Sequence, residues 1–503
     1  MNKIIRMLLD RKEFALYSFM RILVVLLGLV SNIFIVRKLS ISSYGVFSVA
    51  YMFIGLLTTF GFSWSSASII YYGSKEKANT GSISKTFWAR NLIMLASVAV
   101  ITLLFILFRH NINAYIGEDL AGLLLVWLYI SVAEDYLVQY FLAVKKQLYS
   151  GLLSVTARVI YILCVAFITY DVKTLIIINI ISHASVLVYI FAMRKNDIGR
   201  FEFDYSWFKE VLNFSLWQLF GFSGLYLINF GDTAVIKHFM TTEDIGIYNV
   251  AYKLFNNIAD FAYVISGFYA SAISEYFARG NSKGIKNFFY RERYYILLLC
   301  AFAHLLIMLM AGKIIVLLYG SSYGGAANIF RVLMLGSMFR YTIIFYMLYY
   351  NINKKHKILQ TLNLIQAILN LLLDIVFINI FGLIGPAIAT VIAIAFTTVY
   401  SMFYCEKKIR RIAYSSERTM QIENPDIDIS VQKDSSNILA EENIAPLYDN
   451  PDISKQKENT DMQNDNSEIH MQKEKPDMPN DIHEIHMQKE KPDMLNDNHD
   501  VYM

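Results

Sequence analysis

The sequence predicts an all-α polytopic membrane protein: about 12 transmembrane helices in two pseudo-symmetric six-helix lobes around a central cavity, plus a disordered C-terminal tail. Three observations carry that prediction. The 503-residue chain is 56% hydrophobic and 17% charged, with a mean hydropathy of +0.41, where a soluble chain carries about 25% charged residues. Apolar stretches long enough to cross a bilayer recur almost without pause from Phe14 to Tyr404. An octapeptide, YGVFSVAY at 44–51, returns as IGIYNVAY at 245–252.

Crossing the hydrocarbon layer takes about 20 apolar residues. Breaking the chain at charged and glycine-rich clusters gives spans at 14–36, 44–66, 87–108, 119–143, 152–170, 174–193, 211–231, 246–272, 294–312, 326–350, 358–380 and 384–404. With the N-terminus in the cytoplasm, the inner segments hold 25 Lys and Arg residues and the outer ones six, among them Arg37, Lys38 and Lys237. The positive-inside rule therefore places both termini in the cytoplasm, which requires an even number of spans. The opening MNKIIRMLLDRKEF has four basic residues, and no small-residue cleavage site ends the following span. It is expected to be a retained helix.

The two octapeptides fall at the starts of the second and eighth spans, where a six-span duplication would place them. Because six is even, both halves share one orientation, related by an axis along the membrane normal. The expected domains are an N-terminal lobe at 1–205, a C-terminal lobe at 206–405, and a tail at 406–503. A shared helix-start motif without transport meaning is the alternative.

The tail is rich in Asp, Glu, Lys, Asn and Gln and holds six of the seven prolines, so it has too little apolar surface to fold. It contains a 16-residue repeat, NDNSEIHMQKEKPDM at 464–478 and NDIHEIHMQKEKPDM at 480–494. His470, His483, His486 and His499 are expected to be polar tail residues, since flexible histidines lack a preformed metal site. Cys164, Cys300 and Cys405 are too far apart for a disulfide framework or zinc site and are expected to pack. The net charge of +4 is too small to suggest nucleic acid.

A charge at a membrane helix centre costs about 2.5–3.5 kcal/mol on insertion scales, so such groups usually face a cavity or a partner. Glu134, Asp135, Asp260 and Arg340 lie near mid-depth; Arg21, Arg158 and Lys253 lie a couple of turns from an interface. Arg90 and Arg331 stand near span ends, where an anchoring role is expected. Lys253, Asn257 and Asp260 share one helix face, as do Asn363, Gln366, Asn370 and Asp374. A long polar face either lines water or binds a neighbouring helix. Lys253 and Asp260 can also neutralise each other.

These groups permit transport chemistry. Arg21, Arg158, Lys253 and Arg340 are the candidate cations for an anionic phosphate group. Glu134, Asp135, Asp260 and Asp374 are the candidates for ion coupling, and Asn257, Asn363, Gln366 and Asn370 form the polar stripes. No cofactor or resident metal is expected, only H⁺ or Na⁺ as coupling ion. Walker A, HExxH and Gly-x-Ser-x-Gly patterns are absent, and the outer loops are short, so no enzyme is expected.

Four fragments carry a family resemblance: RKLSISSYGVFSVAYMF at 37–53, DTAVIKHFMTTEDIGIYNVAYKLF at 232–255, YGSSYGGAANIFRVLML at 319–335 and LNLIQAILNLLLDIVFINIFGLIGPAIATVI at 362–392. Over about 1–405 the chain resembles the polysaccharide flippases, the O-antigen transporter (Wzx) type, of the multidrug/oligosaccharidyl-lipid/polysaccharide exporter superfamily. That resemblance implies translocation of undecaprenyl-diphosphate-linked oligosaccharide across the bacterial cytoplasmic membrane for surface polysaccharide biosynthesis. It implies two six-helix lobes, a cationic cavity and ion-coupled exchange. Its expected partners are the lipid-diphosphate-linked oligosaccharide, membrane lipids, a polysaccharide polymerase and glycosyltransferases. Asp232 and Gly246 match the family's D…G-x-Y-x-x-A element, read as fold-defining rather than ligand-binding. Pro386 departs from its G-x-x-G-A-A-x-A element and argues against a clean helix start there. The alternative function is a cation-coupled small-molecule exporter of the same superfamily. A polytopic glycosyltransferase or polymerase would need a large acidic loop, and a scaffold would need its tail.

Overall fold

The computed structural model describes residues 12–168, 171–193, 198 and 201–414. Among these residues every regular element is a helix. In chain order the helices are α1 (Lys12–Lys38), α2 (Ile41–Gly61), α3 (Ser66–Thr80), α4 (Ser84–Ile116), α5 (Ala121–Ala143), α6 (Gln147–Phe167) and α7 (Val172–Ser185). They continue with α8 (Tyr205–Phe239), α9 (Thr242–Ala278), α10 (Ser282–Asn287), α11 (Arg293–Tyr319), α12 (Ala326–Ile352), α13 (His356–Phe381) and α14 (Gly385–Ala413). The described part of each of the twelve expected ranges lies largely on helix; residues 169 and 170, at the end of the range 152–170, are outside the described residues. A 3₁₀ turn (Ser63–Ser65) joins α2 to α3, and a π turn (Phe288–Glu292) joins α10 to α11.

Among the described residues, ten stretches are long and apolar enough to cross a membrane; the last, Lys357–Ile412, takes in both α13 and α14. Helix α9 is long enough, but Lys253 and Asp260 interrupt its apolar run. Large apolar side chains point outward along these helices, including Leu299 and Phe403, each 70% exposed. Such a surface would drive aggregation in water and suits a lipid environment.

Local sequence explains the helix starts. Ser40 caps α2 by accepting the Ser43 N–H at 3.1 Å. Its counterpart in the repeat, Thr241, caps α9 in a full capping box with Asp244. Pro386 sits in the first turn of α14, where its missing N–H is no loss. The helix therefore starts cleanly at the position where the departure from the family element argued otherwise.

The two octapeptides meet each other. A Cβ added to Gly45 would stand 1.9 Å from the Thr242 carbonyl oxygen, and one added to Gly246 would stand 2.4 Å from that of Ile41. Each glycine thus lets the first turn of the other helix approach its backbone. Helix α2 runs along α9 and α8. Beyond that seam, α1 packs on α6, α5 on α7, α8 on α13, α9 on α12, and α14 on α12 and α13.

Cations close helix ends nearby. Arg37 donates to the carbonyl of Leu317 and, at 2.8 Å, to that of Leu318, both in the last turn of α11. Lys38 donates to the carbonyls of Val165, Ala166 and Ile168 at the end of α6.

The 16-residue repeats and the four tail histidines lie outside the described residues, as do the basic residues before Lys12. Helix α14 runs past Cys405, where the composition changes, to Ala413. Glu406 explains the extension: it accepts from Arg293 at 2.6 Å, Tyr346 at 2.7 Å and Tyr290 at 3.0 Å. All three cysteines are free.

Candidate functional site

Three groups of polar residues lie within the helical assembly. The most enclosed is built on α8, α9, α13 and α14. Asp232, 2% exposed, accepts hydrogen bonds from Tyr248, from Asn370 Nδ2 at 2.7 Å and from Thr390 Oγ1 at 2.9 Å. The same Asn370 amide donates to Asp374 Oδ2 at 2.9 Å. Asp374 is fully buried, and its Oδ1 has no hydrogen-bond partner. Among the described residues neither carboxylate has an ion-pair partner. Two adjacent buried carboxylates without a cation are costly. The site calls for one added positive charge, a proton or a small cation held by oxygen donors.

Spacing explains how α13 contributes. Asn370 and Asp374 are one turn apart and face α8, while Gln366, a turn earlier, accepts from Thr397 on α14 at 3.0 Å. The backbone of Asn363 contacts Gly224 of α8. The α13 stripe is turned to neighbouring helices: its first half fastens α8 and α14 and its second half builds the buried acid cluster.

The second group lies at the α2–α9 seam. The Lys253 ammonium stands over three rings of α2, 5.0 Å from the centroid of Tyr51, 5.7 Å from Tyr44 and 6.0 Å from Phe47. Arg158, on α6, is near enough to repel it electrostatically. Asp260 does not pair with Lys253. It faces Arg340 of α12 at 3.8 Å, and Arg340 also lies over Phe255 at 5.6 Å. Asp260 is half exposed, so this pair is weak. Asn257 is half-buried on the same helix, and Arg21 is exposed on α1 over the Tyr17 ring.

The third group joins α3, α4, α5 and α7. Glu134 and His183 are hydrogen-bonded, and Asp135 accepts from Gln139 at 2.7 Å. Arg90 corrects a sequence expectation. It is not an interfacial anchor: it is 1% exposed, donates to Ser66 Oγ at 3.1 Å and lies over the Tyr136 ring at 4.6 Å. Nearness to a span end does not expose it, because α3 and α5 cover that end of α4. Arg331 by contrast remains half-buried, bonded to Met308 and Asn328. A cavity of about 420 Å³ lined by Ala114, Tyr115, Ala234, Lys237 and His238 includes none of the candidate residues.

The sequence reading missed Asp232, Tyr248 and Thr390 as site residues, along with the ring trio of α2. Asp232 lay one residue past the estimated end of its span at 231, yet α8 continues to Phe239. The rings stood inside the repeat itself.

Comparison with known proteins follows the same outline. The family model described as "Polysaccharide biosynthesis protein" matches residues 34–328. The chain is 20% identical over 380 residues to a probable low-salt glycan biosynthesis flippase, Agl15, of Haloferax volcanii, covering 74% of this chain and 78% of that protein. Its fold is similar to the lipid II flippase MurJ in an inward closed conformation, with a TM-score of 0.63 and 17% identity, covering 82% and 94% of the two chains. It is also similar to an inward-facing multidrug resistance MATE transporter, with a TM-score of 0.61 and 14% identity, covering 78% and 96%.

Proposed function

Because the chain belongs to the polysaccharide biosynthesis protein family, we propose that it is a flippase that moves a lipid-diphosphate-linked oligosaccharide between the leaflets of a bacterial cytoplasmic membrane. A flippase relative acts in glycan biosynthesis, and a structural neighbour flips lipid II. The carrying observation is the unneutralised positive charge at the α2–α9 seam. Among the described residues Lys253 has no carboxylate partner, Arg158 adds a second cation, and the one carboxylate at Arg340 is the weakly paired Asp260. A diphosphate supplies the missing negative charge, through bidentate bonds to guanidinium and as a counter-ion to ammonium.

In this reading all twelve long helical segments cross the membrane, with both termini cytoplasmic and the halves at 1–205 and 206–405 moving as lobes. The Asp232–Asp374 cluster carries the coupling ion. Its gain or loss changes the relative stability of two lobe arrangements. The seam cations then exchange a headgroup rather than perform bond chemistry.

The test is outward movement of lipid-diphosphate-linked sugar in proteoliposomes, with and without a proton or Na⁺ gradient. Movement that stops in Arg340→Ala supports the assignment. Gradient-driven efflux of a soluble cation, with no movement of any such lipid, would instead establish a small-molecule exporter.

A further inference from the structure

We propose that Tyr44, Phe47 and Tyr51 form a cage for the Lys253 ammonium, and that an anionic diphosphate headgroup competes with this cage and so loosens the α2–α9 seam. The inference rests on reading Lys253 as a substrate-binding cation. All three rings come from the first octapeptide, at the i, i+3, i+7 spacing that puts them on one helix face. Each centroid is within about 6 Å of Nζ, the range of a cation–π contact. Tyr44 and Phe47 are buried, whereas Tyr51 is 42% exposed, so the cage has a closed floor and an open side.

The repeat shows that this is a specialised arrangement. In register, Tyr44, Phe47 and Tyr51 correspond to Ile245, Tyr248 and Tyr252, and Lys253 corresponds to Met52. The second copy uses its rings differently: Tyr248 donates to Asp232, and Tyr252 donates to the Ile228 carbonyl at 2.5 Å. The first copy presents three ring faces to a cation, its Tyr44 hydroxyl donating to Asn32 Oδ1 at 3.0 Å, whereas the second uses its rings through their hydroxyls.

Ring faces hold an ammonium without neutralising it. A diphosphate offers full negative charge and acceptor oxygens, so it can draw Lys253 out through the open side. Because the rings belong to α2 and the ammonium to α9, every exchange removes a contact across the seam. Arg158 repels Lys253 in the caged state and shares the headgroup once it binds.

The test uses full-length protein in lipid nanodiscs, with the native cysteines replaced and spin labels at Ser42 and Glu243. The probe is undecaprenyl diphosphate, with undecaprenol as the uncharged control. In the wild-type background the probe, and not the control, shifts the distances toward longer values. Tyr51→Leu shows longer distances without probe and binds the probe about two- to fivefold more tightly, because one competing ring is gone. Tyr51→Phe, which keeps the ring, restores the wild-type behaviour. Lys253→Met has the loosened seam and loses the probe response. A purely structural role for Tyr51 would weaken binding or leave it unchanged, and that result overturns the proposal, as does a probe-free seam in Tyr51→Leu that matches wild type. If the parent protein does not bind the probe, the reading of Lys253 as a substrate cation fails; the probe-free distances still judge the cage itself.

Discussion

The reciprocal glycines make the seam testable by a single methyl group. Gly45→Ala adds a Cβ 1.9 Å from the Thr242 carbonyl oxygen and 2.9 Å from its carbonyl carbon. Ordinary contact begins near 3.4 Å, and the obstacle is backbone, so α2 and α9 must separate or tilt. Forcing extra volume into a packed interface costs about 1–3 kcal/mol. Alanine recovers up to about 1 kcal/mol of helix propensity over glycine. The clash involves backbone on both sides, so its cost belongs at the upper end of that range and the net effect is about 1–2 kcal/mol of destabilisation of the closed seam. Gly28, inside α1 with nothing within 4 Å of its added Cβ, is the control. There the same change is expected to stabilise by about 0.5–1 kcal/mol.

The assay is the apparent unfolding midpoint of detergent-solubilised protein, followed by tryptophan fluorescence, with distances between labels at Ser42 and Glu243 reporting the seam. Gly45→Ala should lower the midpoint and populate an opened seam roughly five- to thirtyfold over the parent. Gly28→Ala should raise the midpoint and leave the seam alone. Gly246→Ala, whose Cβ meets Ile41 at 2.4 Å, should resemble Gly45→Ala. An unchanged or higher midpoint in Gly45→Ala would refute the close crossing of the two helix starts.

Other outcomes follow from the same geometry. Asp232→Asn and Asp374→Asn each remove one charge from the acid cluster, and gradient-dependent transport should lose its ion dependence in both; undiminished gradient response would exclude the cluster as the coupling site. Arg90→Met removes the hydrogen bond to Ser66 and the contact with the Tyr136 ring and should destabilise by about 1–3 kcal/mol, measured as loss of folded protein in detergent. Asp204 caps α8, and the Trp207 N–H, then Lys85, hold its carboxyl below the usual carboxylate range. Its contribution is present above that range and lost as pH falls through the lowered value, so the protection of amides at the start of α8, relative to their intrinsic exchange rates, should fall on acidification below about pH 4. Truncation after Tyr414 keeps α14 and the Lys286 contact with that ring, 4.2 Å away, and should retain transport; complete loss with normal insertion would give the tail an essential role.

The helices were legible because length and apolarity alone report a crossing. The repeat was legible as a pattern but not as a contact. Nothing along a single strand of sequence states that Gly45 and Gly246 meet. Depth along the chain was a poor guide to exposure. It placed Arg90 near an interface because it measured distance to a span end, whereas burial depends on α3 and α5 beside it. Asp232 was set aside as a fold-defining element of the family motif, although Asn370 and Asp374 mark the face that receives it. The Asp260–Arg340 contact was hidden because the sequence offered Lys253 two turns away on the same helix.

Helix α9 ties these groups together. Tyr248 bonds Asp232 and Lys253 stands in the ring cage, five residues and so about 7.5 Å apart along one helix axis. Helix α9 also carries Gly246 at the crossing and Asp260 opposite Arg340. A helix transmits displacement along its length with little loss, so movement of Tyr248 on ion exchange also moves the Lys253 stem relative to α2. Under the proposed function this gives the coupling ion and the headgroup a shared mechanical element without direct contact between them. The sign follows from the contacts. An added positive charge relieves the Asp232–Asp374 repulsion and keeps Tyr248 in place, favouring the closed crossing. A diphosphate withdraws Lys253 from α2 and favours its release. The two ligands therefore oppose each other at α9, which predicts that ion binding weakens headgroup affinity and that the headgroup weakens ion affinity by the same factor. Equal probe affinity with and without the coupling ion would show that α9 does not connect them.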